Sequence, residues 1–525
     1  MCEHPVLIVG GGPVGLTLSI DLGHRGVECL LIDKRPAPSF LPKMERCHAR
    51  TMEHFRRLGI ADAVRSVGYP AGLPLDSFLV TSLAEPAIAQ LRTPSVIEAR
   101  KQSEQANDGR WPAEPSQIVS QYALEPLLKD IAENVRGVTV RFNCELLSFE
   151  EQEDNVVVRV RDLDGREETI RTRYLIGCDG GSSIVRAGLG FRLEGQANLG
   201  QQMQALFHSE DLFDRIAMGK GAHYYRADDQ WTFLITQGDT HHFSLHAMID
   251  AESAMPALFE SIVGMPISYE TLYVGKWTMR RLLSNQYASK RTFLAGDSAH
   301  LFTPNGGLGM NTGIGDAINL AWKLAAVVAG SASDSLLDSY EAERIGFARR
   351  LVATTDRVFS FATAEGRIAE IMRTRVAPVL IPRIAAFDSV REFMFRTVSQ
   401  IMLNYRNGPL SRGAAGRVHG GERLPWVRVD GADNFVSLTA MDWQVHVYGS
   451  ASAELTAWCG TQGITLHVFG WRSEYEAAGF ARDALYLLRP DSYVALVDAA
   501  GAPGAIERYF ADHGIKPAAR PASAA

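Results

Sequence analysis

A run of glycines near the N-terminus has the spacing of a phosphate-binding turn. Residues 10–15 read GGGPVG, which fits the pattern G-x-G-x-x-G. In that pattern Gly10 permits a tight turn, Gly12 lets a pyrophosphate approach the backbone, and Gly15 lets a helix pack on its strand. Asp33 follows Gly15 by 18 residues, a spacing suited to a carboxylate that hydrogen-bonds a ribose hydroxyl. The segment predicts dinucleotide binding without separating FAD from NAD, and a plain structural turn is the alternative.

A second glycine-rich segment, far along the chain, could contact a flat ring. Residues 304–309 read PNGGLG, so few bulky side chains would keep an aromatic ring from the backbone. The helix predicted to follow would direct its partial positive charge at this loop, where it would stabilise an anionic reduced flavin. Asp297, just before the loop, could accept hydrogen bonds from a polyol such as a ribityl chain. The alternative is a core helix preceded by a flexible glycine loop.

The apolar pattern indicates which elements would position these residues. Short apolar runs at 6–9 and 28–33 predict buried parallel strands on either side of a helix. Alternating segments at 230–236 and 243–249 predict a β-hairpin. Successive strand residues face opposite sides, so His242, Ser244 and His246 share one face, which either lines a cleft or is a hydrogen-bonded sheet surface. A long helix that stops near Gly330 is predicted by apolar residues at helical spacing, namely Ile314, Ala317, Ile318, Ala321, Leu324, Ala325 and Val328.

Three motifs together give the chain a family resemblance. They are GGGPVG at 10–15, CDGGSSIVR at 178–186 and GDSAHLFTPNGGLGMN at 296–311, with a weaker fourth match, QYALEPLL, at 121–128. With these motifs the chain resembles the single-component, FAD-dependent aromatic hydroxylases, or class A flavoprotein monooxygenases, over about residues 5 to 355. The resemblance implies an α/β fold: a Rossmann-like FAD-binding domain with an inserted β-sheet substrate domain and a thioredoxin-like C-terminal α/β domain.

The resemblance also assigns cofactor contacts, residue by residue. Lys43 stands where relatives carry an arginine, and a lysine cannot reproduce the forked guanidinium. Arg186, with Ser183, belongs to a motif linked to the pyrophosphate and to nicotinamide use, although a capped turn is the alternative. The residues assigned to the ADP half are Gly10, Gly12, Pro13, Val14, Gly15, Asp33 and Lys34. Those assigned to the ribityl chain, the pyrophosphate and the isoalloxazine ring are Gln121, Asp179, Gly180, Gly296, Asp297, Pro304, Gly306, Gly307, Gly309, Met310 and Asn311.

The activity that the resemblance implies is hydroxylation of a phenolic or other electron-rich ring. NADPH or NADH would reduce FAD as a transient co-substrate, and O₂ would form a C4a-hydroperoxyflavin that transfers oxygen. The sequence identifies no catalytic residue. Glu45 either faces the substrate or forms a surface salt bridge, and the pocket candidates are Glu45, Arg46, Tyr224, Tyr225, His242, His246, Trp277 and Pro304. The alternatives are an FAD-dependent oxidase or dehydrogenase, a flavin-dependent halogenase and a non-catalytic flavin-binding protein.

The composition argues against several classes of protein function. The chain has 525 residues, 46% of them hydrophobic, and a net charge of −7 that argues against non-specific nucleic-acid binding. The six cysteines form no C-x-x-C pair and no H-E-x-x-H motif is present, so we predict a cytoplasmic protein without a metal site. The apolar N-terminus is a cofactor motif rather than a signal peptide, and no apolar run is long enough to span a membrane. A small aromatic substrate is the expected partner, and a homodimer remains an option.

The expected domain boundaries follow the motifs. The segment 93–115 is predicted to be a long loop. Strands are predicted at 443–449, 464–470 and 484–498, with a helix at 453–462. The expected ranges are 1–75, 115–190 and 285–360 for the discontinuous FAD-binding domain, 76–114 and 191–284 for the substrate domain, 361–405 for a helical segment, 415–516 for the thioredoxin-like domain and 517–525 for a disordered tail.

Overall fold

A computed structural model describes most of the chain, namely residues 4–41, 43, 45–216, 218–228, 231–303, 307–363 and 388–516. The chain forms two compact units. The first consists of Met1–Ala106, Ala113–Asn285 and Ser289–Ala321, and the second of Asn107–Pro112, Gln286–Ala288 and Trp322–Ala525. The predicted tail at 517–525 and part of the predicted helical segment, 364–387, lie outside the described residues. Within the described ranges, no helix combines the length and the apolarity needed to cross a membrane.

The first unit contains a seven-stranded sheet, and each of the three motifs follows the carboxyl end of one of its parallel strands. Its central strand, His4–Val9, runs parallel to Cys29–Asp33 and Glu167–Gly177, and Thr292–Leu294 runs parallel to the latter. Because parallel strands end at the same edge, the residues that follow them are neighbours. Across the sheet the strands are Val138–Phe142, Cys29–Asp33, His4–Val9, Glu167–Gly177, Val156–Asp162 and Cys144–Glu151, with Thr292–Leu294 beside Glu167–Gly177.

A second seven-stranded sheet in the first unit has one apolar face. The predicted hairpin is confirmed as the antiparallel strands Phe233–Thr236 and His242–Ala247. Phe207, Leu234 and Leu245 point to one side, into a buried hydrophobic cluster, so their strand neighbours point to the other side. Across the sheet the strands are Glu270–Thr278, Gln201–His208, His242–Ala247, Phe233–Thr236, His223–Arg226, Ser77–Val80 and Ala89–Leu91.

Helices and short strands complete the first unit. The predicted long helix is confirmed as Leu308–Val328, of which the residues up to Ala321 belong to the first unit, and Gly330 follows it in the left-handed conformation with φ +71°. The other helices are Pro13–His24, Ala49–Arg57, Ala61–Ser66, Val96–Ala106, Gln121–Asn134, Ile184–Gly188, Leu212–Arg215 and Met255–Val263, with 3₁₀ turns at Glu252–Ala254 and Gly296–Ser298. A three-stranded sheet orders Leu193–Gln196, Arg281–Ser284 and His300–Leu301, and Arg46–Cys47 pairs with Gln117–Ile118.

The prediction of a loop throughout 93–115 is wrong. The helix Val96–Ala106 lies within that segment. Ser95 and Glu98 form a reciprocal cap, in which the Glu98 carboxylate accepts from the Ser95 N–H at 2.8 Å and the Ser95 hydroxyl accepts from the Glu98 N–H at 3.2 Å. This capping box satisfies backbone donors at the helix start, and its S-x-x-E signature was present in the sequence.

The second unit contains a four-stranded mixed sheet. Gln444–Tyr448 pairs parallel to Thr465–Phe469 and antiparallel to Leu485–Leu488, which pairs antiparallel to Val494–Asp498. These strands confirm the predicted strand segments, and the helix Ala453–Gln462 confirms the predicted helix. The other elements are the helices Asp338–Thr363, Asp388–Val398, Ser473–Ala477 and Pro503–Asp512, the 3₁₀ turns Asp334–Leu337 and Val436–Ala440, and the strand pairs Ala414–Ala415 with Val418–His419 and Arg428–Val429 with Ala432–Asp433.

A fully buried ionic network lies within the second unit. Glu343 accepts from Lys323 at 2.9 Å and from Arg489 at 2.6 Å, and Arg489 also pairs with Asp491 at 2.6 Å. Burial lowers the pKa of Lys323 to about 8 even though the nearby Glu343 carboxylate favours its charged form. Each charge therefore depends on its partners, because an unpaired buried charge is strongly unfavourable.

Candidate active site

The N-terminal glycine turn is closely packed on one side and open on the other. Gly10 has φ +114°, and a β-carbon there would overlap the carbonyl oxygen of Cys178. A β-carbon on Gly15 would likewise overlap the carbonyl oxygen of Gly10, whereas one on Gly12 would meet no atom within 4 Å. Gly12 is also the N-cap of the helix Pro13–His24. The turn thus leaves open space at a helix N-terminus, as a pyrophosphate site requires.

Asp33, at the end of its strand, is held by a network that includes a neighbouring arginine. Its carboxylate accepts from the Gly11 N–H at 2.7 Å and from the Arg35 guanidinium at 2.8 Å. Burial would raise the pKa of Asp33, but these hydrogen bonds outweigh it and keep that pKa below its usual value. Arg35 also contacts Glu125 at 3.1 Å, and Glu125 accepts from the Gln121 amide. Asp33 and Gln121 therefore belong to one network.

Among the described residues, Lys34 is exposed and forms none of these hydrogen bonds. Arg35, two residues after Asp33, contacts the Asp33 carboxylate instead. The sequence analysis missed Arg35 and Glu125. The signal for Glu125 was a charged residue within the amphipathic segment 121–134, where the structure buries it.

The 178–186 motif is a capped turn that also contacts the third motif. Asp179 accepts from the Ile184 N–H at 2.7 Å with one carboxylate oxygen, while its other oxygen, Oδ1, has no hydrogen-bond partner within the described ranges. Burial raises the pKa of Asp179. Arg186 donates to the carbonyl oxygens of Gly181 at 2.7 Å and Ser298 at 2.8 Å. The capped-turn alternative is thus observed, with backbone carbonyls rather than a carboxylate as the partners of Arg186. Gly180, with φ +82°, has open space where a β-carbon would stand.

The first and third motifs meet at Val14. A β-carbon on Gly296 would lie 2.9 Å from Val14 Cγ2, and one on Gly313 would lie 2.7 Å from the same atom. A β-carbon on Gly313 would also lie 2.8 Å from the Gly296 α-carbon. These distances are too short for real side chains, so the glycines permit the strand end, the fingerprint helix and the long helix to approach one another.

Asp297 lies in the third motif, within the short 3₁₀ turn Gly296–Ser298. The residue is exposed to solvent, yet enough protein surrounds its carboxyl that desolvation raises its pKa against the opposing charges of His300 and Lys43. A β-carbon on Gly309 would be 3.7 Å from Asp297 Oδ1. Beside this turn, the buried Asp316 accepts from the Gly296 N–H at 3.0 Å and pairs with His300 at 2.7 Å. The sequence analysis missed this buried pair.

Asn311 connects the loop before the long helix to the segment 46–51. Its Oδ1 accepts from the His48 N–H at 2.8 Å and the Thr51 hydroxyl at 2.6 Å. Its Nδ2 donates to the carbonyl oxygens of Arg46 at 2.9 Å and Gly307 at 2.7 Å. The amide therefore has all its usual hydrogen-bonding positions occupied by protein. Met310 is half-buried beside it, and the predicted residues Pro304 and Gly306 lie outside the described part of the chain.

The polar face of the second sheet presents several pocket candidates in one row. Gln204, His246, Phe233 and Tyr225 are direct cross-strand neighbours on four adjacent strands. The His246 ring stacks on Phe233 with centroids 4.7 Å apart. His246 Nε2 lies 3.6 Å from Glu45 Oε1. The structure thus brings together Glu45, His246 and Tyr225.

Other predicted candidates lie on or beside the same face. Trp277 pairs with Gln202 two positions from the row, and its indole nitrogen has no hydrogen-bond partner within the described ranges. His242, four residues before His246, pairs with the Asp239 carboxylate, and its ring lies 5.5 Å from that of Tyr122. Arg46 follows Glu45 in the chain. Burial lowers the pKa of Arg46, although the Glu45 and Tyr225 charges favour its protonated form.

Tyr224 is not brought together with these residues, which corrects its prediction as a pocket residue. It points to the opposite face, is fully buried, and stacks on Phe78 with centroids 5.6 Å apart. The residue that shares the polar face with Tyr225 is His223, which the sequence analysis missed. Burial and the Arg46 charge lower the pKa of His223 to about 4. The alternation of the strand His223–Arg226 was the available signal.

The chain is similar to proteins of one known family. The family model described as "FAD binding domain" matches residues 3–355. Tetracenomycin B2 monooxygenase-dioxygenase of Streptomyces olivaceus is 30% identical over 94% of this chain and 95% of its own length. Aklavinone 12-hydroxylase of Streptomyces peucetius is 32% identical over 70% of this chain and 77% of its own length.

Solved structures show the same architecture over nearly the whole chain. The rebeccamycin biosynthetic enzyme with reduced flavin has a TM-score of 0.79 and 26% identity, covering 94% of this chain and 95% of that one. Aklavinone-11 hydroxylase, in a ternary complex with FAD and aklavinone, has a TM-score of 0.78 and 25% identity, covering 97% of this chain and 98% of that one.

Proposed function

Because the chain belongs to the FAD binding domain family and is an FAD-dependent aromatic monooxygenase, we propose that it hydroxylates a phenolic polyketide-type ring with NADPH or NADH and O₂. Bound FAD would take electrons from the nicotinamide and activate O₂, so that one oxygen atom enters the ring and the other leaves as water. The polyketide class is supported by the relatives named for tetracenomycin and aklavinone.

The observation that carries this proposal is the convergence of the three motifs. The glycine turn at 10–15 packs on Cys178, Val14 packs on Gly296 and Gly313, and Arg186 reaches the Ser298 carbonyl. We infer that these segments, far apart in sequence, border one groove, where each would offer open space or polar groups. An elongated ligand with phosphates, a polyol and a flat ring fits that order of groups.

We assign the parts of FAD along this groove. The open backbone at Gly12 and the helix N-terminus would bind the pyrophosphate. The Asp33 carboxylate, oriented by Arg35, would accept from the ribose. Gln121 and Asp297 would hold the ribityl chain. Asn311 would keep the loop in place rather than contact the ring, and the remaining predicted contacts are Gly10, Pro13, Val14, Gly15, Lys43, Asp179, Gly180, Arg186, Gly296, Gly307, Gly309 and Met310.

The chain's own residues would then position the substrate against the flavin. The polar face of the second sheet supplies aromatic rings and hydrogen-bonding groups, among them Phe233, Tyr225 and Trp277. Such a mixture suits a flat molecule that carries a few hydroxyl groups, because rings provide contact area while polar atoms fix the orientation.

Isotope labelling tests the proposal directly. The purified protein should carry FAD and oxidise NADPH or NADH faster when a phenolic polyketide is added. With ¹⁸O₂, the product should gain one labelled oxygen atom per turnover. An oxidase or dehydrogenase would consume substrate without incorporation, a halogenase would require a halide, and a non-catalytic protein would show no substrate-stimulated oxidation. A substrate panel that yields no labelled product would overturn the hydroxylase assignment.

We also propose a cytoplasmic location and a thioredoxin-like C-terminal domain. A cytoplasmic location is supported by the five free cysteines in the described ranges, since reducing compartments keep thiols unpaired. The thioredoxin-like identity of the C-terminal domain is supported by its mixed sheet and flanking helices. Burial raises the pKa of Cys459 to about 11, which favours a packing role for this thiol over redox exchange.

A further inference from the structure

Asp316 is a buried acid on the long helix Leu308–Val328, and it contacts the third motif on both sides of a turn. Its oxygen Oδ2 accepts from the Gly296 N–H at 3.0 Å and lies 2.7 Å from His300 Nε2. The side chains of Asp316 and His300 are 1% and 0% exposed. Since two donors converge on one oxygen, the carboxylate form is favoured, and His300 Nε2 carries the proton that points to it.

The turn between these two contacts is Gly296–Ser298, with the exposed Asp297 at its centre. At its other end, Ser298 Oγ donates to the Gly177 carbonyl at 2.6 Å. Asp316 supplies a side-chain contact that joins the turn to the long helix. Loss of the Asp316 carboxylate would therefore release the start of the turn and move Asp297.

The charges that face Asp297 come from three elements. Burial raises the pKa of Asp297, whereas the positive charges of His300 and Lys43 lower it. A β-carbon on Gly309, at the start of the long helix, would lie 3.7 Å from Asp297 Oδ1, so the helix dipole also favours a negative carboxylate there. Asp316 carries the opposite charge to His300. His300 thus offsets two carboxylates, one buried and one exposed.

We propose that Asp316 and His300 are positioning residues for FAD: Asp316 fixes the turn, and the charge of His300 keeps Asp297 an ionised acceptor for the ribityl hydroxyls. The inference rests on the proposed function and deepens it, because both residues act through Asp297 rather than by touching the cofactor. An ionised acceptor forms a stronger hydrogen bond than a neutral one. FAD affinity should therefore fall when the turn moves, and also when Asp297 gains a proton.

The test measures FAD affinity over a range of pH without turnover. FAD is added to the full-length apoprotein, and the dissociation constant is read from the quenching of flavin fluorescence. As pH falls through the pKa of Asp297, the wild-type affinity should decrease, and we call this decrease the acid limb. Asp297→Asn is the reference variant. It should lack the acid limb and bind FAD roughly 10-fold more weakly at alkaline pH, because it replaces a charged acceptor by a neutral one.

His300→Gln keeps an N–H donor for Asp316 but removes the positive charge. The acid limb should move to higher pH, because the pKa of Asp297 rises when a nearby cation is lost. Adding Asp316→Asn removes the negative charge as well, so the limb of the double variant should return towards its wild-type position. A structural role alone would add the two losses instead of cancelling them. An acid limb that stays in place in His300→Gln would overturn the inference.

Asp316→Ala tests the geometric part of the inference. It removes the acceptor of the buried Gly296 N–H, so FAD binding should weaken by about 10-fold or more. Asp316→Asn keeps an oxygen for this N–H and should restore part of the affinity. Urea unfolding of each apoprotein shows whether the fold is retained, and if Asp316→Ala does not fold, the Asp316→Asn and His300→Gln measurements decide. If Asp316→Ala folds and binds FAD as the wild type does, Asp316 is not a positioning residue.

His419→Gln is a matched control. His419 pairs with Glu422 at 3.5 Å in the second unit, and its side chain is 43% exposed, so the same substitution there should leave the acid limb in place. Unchanged FAD affinity in Asp297→Asn would refute the inference together with the Asp297 assignment. None of these measurements needs turnover, so each result is distinct from a failure of ¹⁸O incorporation, which would refute the hydroxylase assignment.

Discussion

Asn311 gives the sharpest link between hydrogen bonding and cofactor binding. Its side chain makes four hydrogen bonds, to His48, Thr51, Arg46 and Gly307, at 2.6 to 2.9 Å. Asn311→Ala removes all four and leaves buried groups of the segment 46–51 without partners. At a net value of about 1 kcal/mol for each bond, the total loss is roughly 3 to 5 kcal/mol.

This loss should divide between protein stability and FAD affinity. In the proposed cofactor site, the loop at Gly307 and the segment at His48 would both lie beside FAD. Part of the lost free energy would then appear only as weaker FAD binding. We expect FAD binding to weaken by roughly 10- to 100-fold, since about 1.4 kcal/mol corresponds to a factor of 10. Fluorescence quenching by added FAD measures this affinity, and urea unfolding of the apoprotein measures the stability share.

Thr51→Val provides the graded comparison. It removes one of the four hydrogen bonds while preserving the shape of the side chain, so it should cost about 1 kcal/mol, a fraction of the Asn311→Ala effect. If Asn311→Ala changes neither the FAD affinity nor the unfolding midpoint, or if Thr51→Val has the larger effect, the assignment of Asn311 as a brace is refuted.

Three further outcomes follow from the packing and the charges. Gly15→Ala should abolish FAD retention, measured as the flavin-to-protein absorbance ratio, because its β-carbon would overlap the Gly10 carbonyl; normal retention would contradict this. Glu343→Gln should lower the free energy of unfolding by about 3 to 5 kcal/mol in a urea titration, because it leaves buried cations unpaired, and a cost below about 1 kcal/mol would show that the network relaxes. The Asp33 pKa is lowered in the fold, so its stabilising contribution is present above the unfolded pKa of about 4 and is lost as pH falls through the folded value. Arg35→Met should weaken that acid dependence in urea titrations, and an unchanged pH profile would argue against the network.

The glycine turn, the long helix and the hairpin could be predicted from the sequence because they depend on residues that are close together in the chain. The spacing at 10–15 requires a particular turn, and the apolar period after Gly313 requires a helix with one packed face. The hairpin with His246 follows from alternation in the same way. These features depend on short-range sterics and burial, which a single sequence displays.

The partners of polar side chains could not be predicted, because they depend on which segments meet in space. Asn311 was assigned to the flavin ring, but its amide is occupied by the segment 46–51. Lys34 was chosen beside Asp33, whereas Arg35 has the geometry to contact both Asp33 and Glu125. Both outcomes depend on long-range packing, and motif spacing does not show which distant side chains come into contact.

The choice between the two adjacent tyrosines shows a different limit. Strand alternation separates Tyr224 from Tyr225 but does not say which of them faces the core. The pairing of Tyr225 with Phe233, and of Phe233 with His246, shows that Tyr225 lies on the same face of the sheet as His246.

The meeting of Val14 with Gly313 has a consequence for biosynthesis. These residues are 299 positions apart, so the ribosome needs about 15 to 60 s, at roughly 5 to 20 residues per second, to deliver the second after the first. Throughout that interval Val14 lacks its contact with Gly313. In the proposed cofactor site, coenzyme capture would therefore come late in synthesis, and a truncated nascent chain that ends before the long helix should emerge without bound flavin.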